Sequence, residues 1–262
     1  MTAQRTLAYT LPTLVAIAIL GFWEWSVWAF EISKFVLPAP SQILAALIEN
    51  WETLFGSAWV TIRITLLAFV VALILGVSLA VVFSQSPLIE RALFPYAVIL
   101  QVTPVVAIAP LILIWVGLDN AERAVLILAI IVAFFPILAN TTFGLKSVDP
   151  QLHELFDLYG ASRWQRLVRL QFPSALPFIL AGMKVAGGLA LIGAVVAEFA
   201  AGSGTSTGLA WRIAEAGNRL EVAKGFAALA ILSGVGILIY VALSVLERRA
   251  LRKWHESAVS RE

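Results

Sequence analysis

No cysteine occurs in the 262 residues. A disulfide framework, a thiolate nucleophile and a cysteine-based metal site are therefore excluded. Only two histidines are present, His153 and His255. Charge is scarce as well: Asp, Glu, Lys and Arg make up 13% of the chain, against about a quarter in soluble domains. The pattern G-x-x-x-x-G-K-[ST], whose backbone amides and lysine hold nucleotide phosphates, is missing, so the chain carries no ATP site of that kind. What fills the space is apolar. Hydrophobic residues reach 61% and mean hydropathy is +0.93, too much for a single buried core, so lipid is the solvent for much of the surface.

Six stretches are long and apolar enough to cross a bilayer, which takes about 20 residues of helix. They lie near 7–30, 58–83, 93–116, 124–145, 178–200 and 226–246. The runs are continuous instead of alternating, which excludes barrel strands and predicts an all-α membrane protein. The first run follows Arg5 like a secretory signal, but Trp23, Glu24 and Trp25 stand where a small-residue cleavage site belongs. An uncleaved anchor is expected.

Six spans place both termini on one side, and the basic residues choose which. With the termini inside, eleven fall on inner segments: Arg5, Arg91, Lys146, Arg163, Arg166, Arg169, Arg248, Arg249, Arg252, Lys253 and Arg261. Five fall outside: Lys34, Arg123, Arg212, Arg219 and Lys224. Cytoplasmic termini are expected, with Trp23, Trp25 and Trp28 as an outer aromatic belt. In the outer connection, 31–57, two prolines at 38 and 40 precede Ser41, which is expected to cap a short amphipathic helix ending near Trp51.

The inner connection, 146–177, carries the most information. Asp149 before Pro150 starts a helix, and Gly160 ends it because glycine takes the left-handed C-cap conformation cheaply. Ser162 and Gln165 form a capping box that starts a second short helix, which Pro173 and Pro177 are expected to stop. A capped helix pair is thus predicted between spans four and five. On physics alone, Arg163, Arg166 and Arg169 in this pair suit anionic headgroups equally well.

The residues of this loop also resemble a family motif. Glu154-Leu155-Phe156, Gly160, and Leu170-Gln171-Phe172-Pro173 are similar to the EAA motif of bacterial ABC importer permeases. Leu155 and Phe156 replace its two alanines, and Phe172 its usual leucine. Leu37-Pro38-Ala39-Pro40, Ala109-Pro110-Leu111, Trp115-Val116-Gly117, Gly208-Leu209, Glu247-Arg248-Arg249 and Trp254-His255 extend the likeness over residues 35–256, toward the nitrate, sulfonate and taurine branch. Ala210 departs from the usual Gly-Leu-Gly.

The resemblance implies a permease of the bacterial inner membrane. A second permease copy, two cytoplasmic ABC ATPases that hold ATP and Mg, and an extracytoplasmic substrate-binding protein complete the transporter. It implies no nucleic acid, no resident metal and no enzymatic chemistry in this chain. The helix pair becomes a coupling helix that docks on the ATPase through Glu154, Asp157, Gly160, Ala161, Leu170 and Pro173. Glu154 and Asp157 either meet basic residues there or stay solvated. The stretch from Gly182-Met183-Lys184 through Gly193-Ala194-Val195 to Glu198-Phe199 resembles importers of pyrimidine-type thiamine precursors or riboflavin. Sulfonate, taurine and nitrate are the other cargoes of that branch. The rival class is an ion-gradient-driven secondary transporter, whose inverted repeats are not visible here.

Some features need weighing. Gly204-Thr205-Ser206-Thr207-Gly208 matches a serine-hydrolase elbow, but both histidines fall on the opposite side from Ser206. Arg63, Lys184 and Glu24 lie near span ends, where long or interfacial side chains reach water. Glu198 faces either the pathway, a subunit interface or interfacial water. Gly182, Ala186, Ala190 and Ala194 repeat every four residues and predict a close helix contact, within the bundle or between copies. Pro104 and Pro110 interrupt span three, with Gln101 and Thr103 as polar candidates for the pathway; plain kinks are the alternative.

Overall fold

The computed structural model describes residues 2–201 and 207–252. Its elements are, in order, α1 (Thr2–Ala29), α2 (Pro40–Glu49), α3 (Trp51–Gln85), α4 (Pro87–Val102), α5 (Val105–Val116), α6 (Ala121–Lys146), α7 (Pro150–Leu158), α8 (Arg163–Arg166), a π turn (Leu167–Gln171), α9 (Phe172–Ala201), α10 (Leu209–Asn218) and α11 (Val222–Leu251). A 3-10 turn, Leu118–Asn120, precedes α6. No strand occurs among the described residues. Ser206, Trp254 and His255 lie outside them.

Five helical segments are long and apolar enough to span a membrane: Thr10–Ala29, Trp51–Gln85, Ala121–Lys146, Arg163–Ala200 and Val222–Leu251. The expected third span is different. It is two helices, α4 and α5, bent by 100° at the break between them, and it makes the sixth span if the pair is counted as one. Pro104 lacks an N–H and its ring disfavours helical backbone in the residue before it. Thr103 accordingly sits extended at φ −70°, ψ 123°. Pro110, by contrast, is carried inside α5.

Contacts divide the chain into two units, Met1–Ala58 with Thr207–Leu232, and Trp59–Ser206 with Ser233–Glu262. In the first, Leu54, Ala58, Leu209, Ala227 and Ala228 form a small core, packed by Ile43, Leu47 and Ile213. Ser41 is not the cap of α2. Pro40 takes the first helical position, and the Ala39 N–H donates to the Gln42 side chain at 3.2 Å. Ser41 donates instead to Glu24 on α1, through its N–H at 3.0 Å and its hydroxyl at 2.7 Å. A carboxylate with two strong acceptor oxygens outcompetes the local cap. Arg212 on α10 donates to Ser57 at 2.9 Å and to Glu215 at 2.8 Å, and Arg219 reaches Glu215 at 3.0 Å. The hydrogen bond from Arg212 holds the Glu215 carboxyl below the usual carboxylate range.

In the second unit α6 and α9 form the main helix pair. The small-residue ridge of α9 lies inside this unit: Ala186, Ala190 and Ala194 are fully buried. A Cβ on Gly182 would stand 2.9 Å from Asn140 Cβ, and one on Gly193 would stand 3.0 Å from Ala129 Cα. The backbones approach that closely because those side chains are absent, as membrane helix packing without a strong hydrophobic drive requires. Ala72 of α3 joins Ala133, Ile137, Ala186 and Ala190 in one cluster.

Charges near span ends are paired. Arg63 meets Glu122 at 2.5 Å. Lys184 meets Glu247 of α11 at 2.8 Å, with its ammonium 5.5 Å from the Tyr240 ring centroid.

Candidate functional site

The connection between α6 and α9 is built by local chemistry. Asp149 accepts the Gln151 N–H at 2.8 Å, with Pro150 at the first position of α7. The helix closes at Gly160, whose φ is +66°. The Gly160 N–H donates to Asp157 O at 2.9 Å and the Ala161 N–H to Phe156 O at 3.0 Å, the two bonds of a Schellman motif. Ser162 then opens α8 with a reciprocal capping box: its N–H donates to Gln165 Oε1 at 2.8 Å, and Gln165 N–H to Ser162 Oγ at 3.2 Å. Both caps stand where the residues placed them.

Two features differ from expectation. Pro173 and Pro177 do not stop the second helix. The chain passes through the π turn, where the Phe172 N–H donates to Leu167 O, and continues into α9 with both prolines inside. A wider turn and the proline's position at the start of α9 absorb the missing donor. The second difference is Asp157, which forms an ion pair with Arg166 across the turn. This carboxylate is engaged within the chain and braces α7 against α8. Glu154 is exposed and makes no ion pair among the described residues.

Leu167 and Leu170 turn inward and are buried, Leu167 in a cluster with Phe83, Leu138, Leu145 and Ala175. Gly160 is exposed, and Ala161 and Pro173 are half-buried. Several large apolar side chains of this capped helix pair, the elbow, are exposed. Leu158 is 85% exposed, Tyr159 84% and Trp164 69%. Leu155, Phe156, Tyr159, Ala161, Gln165 and Arg169 line a cavity of about 390 Å³. Leu158, Tyr159 and Trp164 were not singled out by motif. Their signal was available: large apolar residues placed beside a helix end that must face solvent or a partner.

The pathway candidates separate into two places. Gln101 and Thr103 end α4, and Pro104 begins α5. Gln101 is exposed; the Thr103 hydroxyl donates back to Ile99 O at 2.7 Å and caps the helix end. Glu198 is fully buried on α9 and accepts a hydrogen bond from Thr61 on α3 at 2.9 Å. It lies beside Ala194 and Ala197, in the layer where Ile108 and Ala109 of α5 pack. Neither interfacial water nor an exposed position describes it. No group of three or more His, Cys, Asp or Glu able to hold a metal occurs among the described residues.

Long apolar helices, one span of which is broken, and a capped helix pair between α6 and α9 describe a multi-pass membrane protein. Residues 72–252 match the family of binding-protein-dependent transport system inner membrane components, and the chain belongs to that family. It is 34% identical to the formylaminopyrimidine transport permease protein ThiX of Halalkalibacterium halodurans, over 90% of this chain and 92% of that one. It is 33% identical to the riboflavin transport system permease protein RibX of Chloroflexus aurantiacus, over 95% and 91%. It is 29% identical to the taurine transport system permease protein TauC of Escherichia coli, over 96% and 91%. Among solved structures, a bacterial ABC transporter that imports alginate superposes with a TM-score of 0.67 at 15% identity, covering 95% of this chain and 99% of that one. An amino acid ABC transporter gives 0.64 at 16% identity, covering 80% and 97%. The chain is an ABC importer permease subunit, a multi-pass membrane protein that transports instead of catalysing.

Proposed function

We propose that the chain forms the translocation pathway for a small heteroaromatic vitamin precursor, of pyrimidine or riboflavin type, delivered by an extracytoplasmic binding protein. Two copies pair in the membrane, with both termini cytoplasmic. Two ATPase subunits bind ATP and Mg and grip the elbow of each copy. ATP-driven closure then biases the permease between inward-open and outward-open states.

The observation that carries the coupling role is the elbow itself. Two capped helices joined at a positive-φ glycine and braced by Asp157 and Arg166 make a stiff projection. Its tip is apolar, at Leu158, Tyr159 and Trp164, with Glu154 free to meet a basic partner group. In this role Gly160 and Ala161 hold the turn, Leu170 anchors it inward, and Pro173 begins the span that receives the push. Gln101, Thr103 and Pro104, at the break, are the pathway's polar candidates. Glu198 acts by fixing α9 to α3 through Thr61.

The cargo assignment rests on the relatives. The residues from 182 to 199 that resemble vitamin-precursor importers include Gly182, Gly193 and Glu198, which serve packing and an internal hydrogen bond in this structure. Substrate choice is therefore expected to reside mainly in the binding protein. The test is transport into vesicles by the reconstituted complex, with the binding protein first screened against pyrimidines, flavins, sulfonates and taurine. Uptake that requires ATP and follows the ligand of the binding protein supports the reading. Uptake that persists without ATP and collapses with an ion gradient overturns it.

A further inference from the structure

A second cavity at the elbow is unlike the apolar one. It measures about 180 Å³ and is lined by Ser84 and Gln85 at the end of α3, His153 on α7, Arg163 and Arg166 on α8, and Gln171 in the π turn. All six lining side chains are polar. Two are guanidiniums and none is a carboxylate. Asp157 takes up one nitrogen of Arg166 through Nη1, and leaves its other N–H groups. Ser84 donates to Val81 O and accepts from Gln85. Among the described residues, no hydrogen bond or ion pair occupies the side chains of Arg163, His153 or Gln171. A concave site with converging N–H donors and a net positive charge selects an anion, and the planar guanidinium fork matches a phosphate oxygen pair.

The surroundings indicate which phosphate. Val82, one turn before Gln85 on α3, is 44% exposed, Leu75 is 50% exposed, and α3 is a membrane-crossing helix. Val168, in the π turn beside the recess residue Gln171, is 49% exposed. The exposed apolar surface of α3 thus lies on the same helix whose end, at Ser84 and Gln85, lines the basic recess. Basic pockets beside membrane helices receive lipid headgroups.

We propose that this recess is a binding site for the phosphodiester headgroup of an anionic phospholipid. Arg163 and Arg166 hold the phosphate, and His153, Gln85 and Gln171 donate to its remaining oxygens. The acyl chains lie along the exposed apolar surface of α3. The site is separate from the docking role proposed for the elbow tip, and its occupancy is read without any transport measurement.

The test uses the full chain purified with its ATPase, delipidated, and offered equimolar phosphatidylglycerol and phosphatidylcholine, with bound lipid counted by native mass spectrometry. The expected result is preferential retention of phosphatidylglycerol, falling by about fivefold for each basic contact removed. The pair R163Q/H153Q brings the ratio toward one. Arg163→Lys, which keeps the charge and loses the fork, lies between. Arg91→Gln, an exposed cation on α4 that does not line the recess, leaves the preference intact and controls for bulk charge. Equal retention of the two lipids by a monodisperse wild-type complex overturns the proposal. So does a preference that survives R163Q/H153Q or falls equally in R91Q. Loss of the preference in excess inorganic phosphate would make the ligand a free oxyanion. A preference seen only when the ATPase is stripped away would assign the recess to an acidic group of that partner. Either result refutes the lipid.

Discussion

Replacement of Gly160 gives the sharpest test of the elbow, because the structure isolates one cause. Its φ is +66°, and an added Cβ would have nothing within 4 Å. Any cost is therefore backbone strain and owes nothing to crowding. An L-residue in this conformation costs roughly 1–2 kcal/mol, and a β-branched residue more. That lowers the population of the closed turn by about 5–30-fold relative to its open forms. If the ATPase binds only the closed turn, its apparent affinity falls by up to the same factor. The order expected is Gly160→Asn least affected, since asparagine tolerates left-handed backbone, then Gly160→Ala, then Gly160→Val. The assay is binding of purified ATPase to each variant in detergent, with membrane insertion checked separately. Wild-type affinity in Gly160→Val would refute the coupling role of the turn. Equal losses in the asparagine and valine variants would refute the conformational explanation, since they differ in φ tolerance.

Other consequences follow from packing and charge. Gly193→Ala puts a Cβ 3.0 Å from Ala129 Cα and is expected to cost about 1–3 kcal/mol, whereas Gly188→Ala, with open space around it, is expected to be neutral or to stabilise by about 0.5–1 kcal/mol; thermal unfolding in detergent separates them, and equal effects would deny the close α6–α9 approach. Thr61→Val removes a donor to buried Glu198 and is expected to cost about 1–3 kcal/mol, so an unchanged melting temperature would mean that Glu198 is satisfied without it. A double-mutant cycle on Lys184 and Glu247, which join α9 to α11 at 2.8 Å, is expected to give about 0.5–3 kcal/mol of coupling, and additive single variants would reject that pair as a staple. Glu215 has a pKa lowered from 4.5 chiefly by its hydrogen bond with Arg212, so its contribution to holding α10 is fully present above 4.5 and is lost as pH falls through the lower folded value. Protease resistance of the 209–218 segment should drop in that acidic window in wild type, and a Glu215→Gln variant that shows the same drop would rule the group out.

What could be read beforehand depended on the range of the interaction. The caps at Asp149, Gly160 and Ser162 are made by residues within three or four positions of the groups they satisfy, and they stood as expected. Lipid-scale hydropathy placed five spans because a bilayer sets one length for all of them. Failures came where a distant group competed. Ser41 left its expected capping role for Glu24, seventeen positions away. Glu198 found Thr61 across 137 positions, which no local pattern encodes. Proline signals marked the right places but not the outcome: Pro104 interrupts span three as expected and turns the chain by 100°, and Pro173 is absorbed by a π turn where a stop was expected. In both cases the local constraint was visible, and the tertiary packing chose how the chain answered it.

That absorption has a mechanical consequence for the proposed coupling. Had Pro173 ended the helix, the elbow would hang from span five by a loop, and a push on it would be lost in loop motion. Instead helix runs without a break from Arg163 to Ala200, 38 residues, or about 57 Å at 1.5 Å per residue. One end of this rod carries the capped turn; near the other, Glu198 is tied to Thr61. Between them the alanine ridge packs on α6, and Gly182 and Gly193 let the two helices approach closely. A helix held that closely does not bend easily along its length, so displacement of the elbow is expected to be taken up by movement of the α6–α9 pair together or at the π turn and Pro177, where hydrogen bonding departs from the α pattern. Of the two, the π turn adjoins the elbow and is the expected hinge. It contains the buried anchors Leu167 and Leu170, so residues before it are expected to stay with the elbow and those after it to move with the span.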